Sequence, residues 1–129
     1  MPKKHVYSVS PYEKELGFCR AVRFGDFIQV AGTPPFNPDG TTACPGDIYG
    51  QAVRCLEIIQ KAIEDAGGKL SDVVRTRMYL TDIMGWEAVG KAHGEFFRDI
   101  NPASTMVEVK SLVRGDWLVE IEAECYLGD

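Results

Sequence analysis

Glu120, Glu122 and Glu124 stand at every second position of the run Leu118-Val119-Glu120-Ile121-Glu122-Ala123-Glu124-Cys125-Tyr126. Residues two apart share one face of a strand. The three carboxylates therefore line up with Leu118 and Tyr126, while Trp117, Val119, Ile121, Ala123, Cys125 and Leu127 take the opposite face. A column of like charges repels itself, so the carboxylates are either neutralised or used. Arg75 and Arg77, on the stretch from Val73 to Thr81, are the candidates for neutralisation. The candidate for use is Glu120. A carboxylate crowded by two others in a closed cleft has a raised pKa, nearer to what a general acid or base needs at neutral pH. Glu122 and Glu124 are read as structural.

Other reactive side chains offer less. His93 falls on the apolar stripe of a helix, where a histidine is more often a hydrogen-bonded core residue than a catalyst. Ser104 and Thr105 lack a His-Asp partner pattern, so a hydrolase triad is not expected. The four cysteines (Cys19, Cys44, Cys55, Cys125) show no C-x-x-C spacing, and with only His5 and His93 beside them no metal site is expected. Cys19 has no neighbouring base to activate it. No glycine-rich phosphate loop is present, and no cofactor is expected.

These groups must be positioned by one domain spanning residues 1–129, long enough to bury a core without staples. A net charge of -5 disfavours partners held through phosphates, so no nucleic acid is expected. No apolar run approaches membrane-spanning length and no leader is evident, which predicts no membrane partner and a cytoplasmic, reduced setting. Residues 1–16 read as polar and irregular. A hairpin pairs Phe18 to Phe24 with Phe27 to Ala31 across Gly25-Asp26, and Thr33 to Gly46 reads as a long loop with a role in binding or assembly. Asp47 caps a helix with an apolar stripe from Ile48 to Ala66, stopped by Gly67-Gly68. A strand follows with Val74, Thr76, Met78 and Leu80 on one face. The second helix, about Gly85 to Asp99, sets Trp86, Val89, His93, Phe96 and Phe97 together, and two strands end the chain. The order β-β-α-β-α-β-β predicts an α+β fold, a mixed sheet with two helices packed on one face. The other face, carrying Arg75, Arg77, Tyr79 and the glutamates, is left to solvent or to another subunit.

Asp65-Ala66-Gly67-Gly68, Ser71-Asp72-Val73-Val74 leading to Thr81-Asp82, Phe96-Phe97, Pro102-Ala103, Val107-Glu108-Val109 and Glu120-Ile121-Glu122-Ala123 occur in an order that resembles the RidA/YjgF/L-PSP family. The resemblance runs from about Phe18 to Tyr126. It implies a chorismate-mutase-like fold, a homotrimer with its sheets facing inward, ligand clefts between subunits, and hydrolysis of small reactive enamines and imines. The family's water-activating carboxylate corresponds to Glu120, and its strand-ending glycine to Gly32. Four positions depart from the pattern. Ser104 stands for the arginine that grips a substrate carboxylate, Met106 for a cysteine, Phe18 for a tyrosine and Gly90 for an asparagine.

Loss of a guanidinium fork removes charge-assisted bonds of roughly 1.5–3 kcal/mol each. Ser104 and Thr105 offer hydroxyls instead. Either Arg20 or Arg23, otherwise solvated strand arginines, takes over, or the ligand lacks the carboxylate and meets a more apolar pocket of Phe18, Trp86 and Met106. The second is favoured. The expected function is an enamine/imine deaminase-like hydrolase. The alternatives are a catalytically silent small-ligand-binding trimer and, last, an endoribonuclease, which this acidic chain does not suit.

Overall fold

Residues 2–128 are described in the computed structural model of the chain. The elements run β1 (Lys3–Val6), α1 (Tyr12–Leu16), β2 (Ala21–Phe24), β3 (Phe27–Thr33), α2 (Ile48–Asp65), β4 (Val73–Leu80), α3 (Trp86–Phe97), β5 (Ala103–Glu108) and β6 (Val119–Tyr126). Six strands form one mixed sheet in the order β1-β2-β3-β6-β4-β5, in which only β4 and β5 are parallel neighbours. The last strand thus inserts between β3 and β4, so β6 lies near the centre of the sheet and is flanked on both sides. Helices α2 and α3 cover one face, as expected.

Helix α2 follows its sequence signals closely. The Asp47 carboxylate accepts from the Gly50 N–H at 3.1 Å, satisfying one of the free donors of the first turn. At the other end, Gly67 adopts φ +92° and the Gly68 N–H returns to the Ile63 carbonyl at 2.9 Å, a left-handed termination that suits glycine. Between them Ala52, Cys55, Leu56, Ile59 and Ile63 are fully buried against Ile28, Val119, Ile121 and Ala123.

Four departures from the expectations have local causes. Of the stretch 1–16, the described residues 2–16 are not irregular throughout. β1 pairs antiparallel with β2, although three of its four side chains are exposed and give no alternation to read. The short α1 ends at Gly17, φ +80°, where the N–H groups of Gly17 and Phe18 both reach the Glu13 carbonyl at 3.0 and 2.9 Å. Phe18 therefore belongs to a helix cap, and β2 starts only at Ala21. On β4 a register shift between Val73 and Arg75 buries Val73 and leaves Val74 exposed, reversing the predicted face at that end. Trp86, expected on the apolar side of its helix, is 53% exposed, while Val89, Ala92 and Phe97 supply the core contacts.

The proline-rich segment 33–46 is a folded loop. Phe36 is buried and bridges to Thr42, and the Phe36 carbonyl accepts from the Arg54 side chain at 2.9 Å. Among the described residues, no helix is long and apolar enough to cross a membrane.

Leu56 is completely buried at the centre of the helix–sheet contact. Leu56→Ala should cost about 2–5 kcal/mol in denaturant unfolding, with the slope of the transition unchanged.

Candidate active site

β6 aligns its glutamates against β4 with Arg75 opposite Glu124, Arg77 opposite Glu122 and Tyr79 opposite Glu120. The side chains do not pair straight across. Arg77 reaches diagonally to Glu124 at 2.6 Å and stands 3.7 Å from Glu122, and the Tyr79 hydroxyl donates to Glu122 at 2.6 Å. Arg75, expected to pair with a glutamate, donates to the Thr105 hydroxyl at 2.7 Å instead. The cross-strand partners are thus used up by two carboxylates. The Glu120 side chain has no hydrogen bond or ion pair with any described residue.

Glu120 is half-buried, and burial is the main cause pushing its carboxyl above the ordinary glutamate range. The nearby Arg20 guanidinium opposes this, and Glu122 adds to it. Its neighbour on β3 is Gly32, just where the β3–β6 register slips between Val30 and Thr33. A side chain on Gly32 would place its Cβ 2.6 Å from Glu120 Oε2 and so push the carboxylate out of its present position. Gln51, which sequence reasoning missed, fixes the approach to this strand. Fully buried on α2, it accepts from the Leu118 N–H at 2.8 Å and donates to the Asp116 carbonyl at 3.0 Å.

Arg20 also departs from expectation. It is not a solvated strand arginine: it is 1% exposed, with Nε 3.1 Å and Nη2 3.0 Å from Glu13 Oε2. Its Nη1 donates to the Gly32 carbonyl at 2.7 Å and to the Thr33 hydroxyl at 3.2 Å, and the Phe18 and Phe36 rings each lie 5.6 Å from the guanidinium. Glu13 in turn accepts from the Ser8 backbone N–H at 2.8 Å and from the Ser8 hydroxyl. A buried charge requires this kind of pairing. The partner lies on α1, a helix too short to announce itself in the sequence. Arg23 donates to the Gly25 and Ala66 carbonyls at 3.0 and 2.9 Å. Both cations are engaged with protein groups, and Arg20 contributes to the site by holding the Gly32 backbone against which Glu120 rests.

Beside this corner an open cleft of about 840 Å³ is lined by Phe18, Cys19, Arg20, Gln29 and Ala31, among others, and its lining ends one residue short of Gly32. Burial raises the Cys19 thiol pKa, with Glu13 adding to it, which keeps the sulfur protonated and unreactive.

The remaining candidates lie elsewhere. Ser104 sits on the edge strand β5 and shares a hydrogen bond with the fully buried Thr76 hydroxyl, at 2.7 Å. Thr76 lies on the helix-covered side of the sheet, whereas Glu120 lies on the open side. Met106, two residues beyond Ser104, packs against the core. Thr105 turns to the open side, toward Arg75. Trp86, Gly90 and His93 follow one another at helical spacing along α3, and Gly90 has open space where a side chain would stand. Phe18, Gly32 and Glu120 thus form one group, and Ser104, Met106, Trp86 and Gly90 another, on opposite sides of the sheet within a single chain.

A carboxyl whose pKa is raised by folding favours the folded state below its unfolded pKa, and that contribution is lost as pH rises through the folded value. Charged Glu120 therefore weakens the fold at neutral pH. Glu120→Gln should melt higher than wild type at pH 7 in calorimetry, and the gain should vanish below about pH 4.5, the ordinary glutamate value.

The family model described as Endoribonuclease L-PSP matches residues 10–126. A RutC family protein of Pyrococcus abyssi is 36% identical, with 95% of this chain and 97% of that protein covered. A crystal structure of a YjgF/YER057c/UK114 family member from Mycobacterium tuberculosis superposes with a TM-score of 0.88 at 42% identity, covering 97% of this chain and 99% of that one. The YjgF gene product of E. coli gives a TM-score of 0.83 at 29% identity, covering 95% and 98%. With matches in both sequence and fold over nearly its whole length, this chain belongs to the RidA/YjgF/L-PSP family.

Proposed function

We propose that the protein is an enamine/imine deaminase-like hydrolase of small reactive metabolites, working as a homotrimer with its sites in the clefts between copies. The observation that carries this reading is the odd carboxylate. Of three aligned glutamates, Glu120 is the one whose side chain has no partner among the described residues, and its pKa is raised above the ordinary glutamate range.

Its chemistry follows from that environment. A partly desolvated carboxylate is a stronger base than a solvated one. Glu120 takes a proton from water as the oxygen adds to the imine carbon. The proton passes to the nitrogen, giving a carbinolamine; Glu120 then takes the carbinolamine hydroxyl proton and delivers it to the nitrogen as the C–N bond breaks and the C=O bond forms, so that ammonia and a carbonyl product leave. Atoms and charge balance without a cofactor. The substrate is less anionic than a free imino acid, because Ser104 stands where the family's arginine would be and both Arg20 and Arg23 are engaged with protein groups.

The need for more than one copy rests on the faces. Ser104, Met106, Trp86 and Gly90 reach a ligand at Glu120 only if they come from a neighbouring chain. An endoribonuclease, as the family model's description has it, is the weaker reading for a chain of net charge -5 with three glutamates on its open sheet face.

Keto or aldehyde product should form faster when imines are generated in situ in the presence of the protein. Glu120→Gln should lower that acceleration about 10²–10⁴-fold, the usual contribution of a positioned general base. No acceleration by wild type with any imine would leave a ligand-binding module. Sedimentation should give a mass near three chains, and a monomer would exclude the shared site.

A further inference from the structure

A pocket of about 380 Å³ lies between one flank of α2 and residues 7–9, the segment that leads from β1 to α1. None of the candidate site residues lines it, Phe18, Gly32, Ser104 and Glu120 included. Tyr7 and Arg20 line both this pocket and the open cleft near Gly32, and so stand between the two.

Its floor is apolar, made of the buried Phe36, Ile58 and Ala62. Tyr7 and Val9 form a wall, and each is 55% exposed, so the pocket leaves apolar surface in water that a ligand would cover. That wall is formed in advance. Ser8, between them, is held to the Glu13 carboxylate by its N–H at 2.8 Å and by its hydroxyl. Size and lining match those of small-molecule sites, which combine an apolar body with a few placed polar groups.

The mouth carries charges of both signs along α2. Arg54 donates from Nε to the Phe36 carbonyl at 2.9 Å, which fixes its guanidinium at the rim, and Nη1 stands 3.3 Å from Glu57. Nη2 makes no hydrogen bond with any described residue. Two turns further on, Lys61 pairs with Asp65 at 3.0 Å. Ion pairs that meet solvent are worth little, so the charges of a ligand can replace them. Arg20 adds no free charge, because Glu13 neutralises it at 3.0 Å. A monoanion here would face carboxylates as well as cations, and a monocation the reverse. A zwitterion can satisfy both.

We propose that this pocket binds a free α-amino acid with an apolar side chain of medium size. The side chain lies on Phe36, Ile58 and Ala62, the carboxylate takes the open Nη2 edge of Arg54, and the ammonium group meets Glu57. The site is independent of the hydrolase reading.

The test follows backbone ¹⁵N–¹H shifts of the full chain during titration with L-phenylalanine and three probes that each lack one part of it. These are 3-phenylpropionate without the ammonium, phenethylamine without the carboxylate, and L-alanine without the apolar body. L-Phenylalanine should saturate with a Kd of about 1 mM or tighter, and the shifts should centre on Ser8, Val9, Ile58 and Ala62. Each probe should bind at least about fivefold more weakly, the worth of one hydrogen bond or more. Glu57→Gln should weaken L-phenylalanine but not 3-phenylpropionate, and Arg54→Gln should weaken L-phenylalanine but not phenethylamine. Ala62→Leu should fill the pocket and abolish binding; should that buried change unfold the chain, the exposed Glu57→Gln still decides. Shifts centred on Gly32 and Glu120, equal binding of 3-phenylpropionate and L-phenylalanine, or no saturation by about 10 mM, ten times the expected constant, would overturn the proposal.

Discussion

The constraint on which this site depends is a mismatch of one between carboxylates and partners across β4 and β6. Arg77 and Tyr79 lean diagonally along the pleat and satisfy Glu124 and Glu122. Arg75, which could have closed the ladder, is drawn to Thr105 on the edge strand instead. Diagonal cross-strand pairs of this sort are within reach of long side chains. Their direction decides which end of the column is left over. That end is Glu120, beside the irregularity in β3 where Gly32 leaves space for a carboxylate.

A second electrostatic arrangement, buried rather than half-open, keeps that corner in shape. Arg20 and Glu13 form an ion pair with both side chains 1% exposed. Such a pair adds little net stability over an apolar substitute, because desolvation offsets most of the attraction, but removal of either partner leaves an isolated buried charge. Its consequence here is geometric. The guanidinium joins α1, the end of β3 and the Phe18 ring, so the N-terminal segment and the Gly32 backbone are held as one unit. Arg20 also tempers the rise in the Glu120 pKa, which keeps the carboxylate able to ionise.

Much of the fold was legible in the sequence because its signals are local and periodic. The α2 stripe, its Asp47 cap and its Gly67-Gly68 stop all hold, as does the alternation along β6. What was not legible depends on contacts distant in sequence. The burial of Arg20 requires Glu13 from a five-residue helix with no readable period. The exposure of Val74 follows from a bulge set by β6. Gln51 reads as an ordinary polar residue until the segment before β6 folds against it. At the site, the odd carboxylate could be singled out by position, but the identity of its neighbours' partners could not. The division of the remaining candidates between two sides of the sheet was hidden as well, since Ser104 carries no mark of pointing toward Thr76.

The central claim is that Glu120 is an unpaired, partly desolvated carboxylate in the folded protein. A ¹³C titration of the glutamate side-chain carboxyls, with Glu120→Gln assigning the signal, measures this directly. The Glu120 carboxyl should titrate above the ordinary value of 4.5. Titration at or below that value would mean a solvated or cation-paired carboxylate, and would contradict the assignment of Glu120 as the group that activates water.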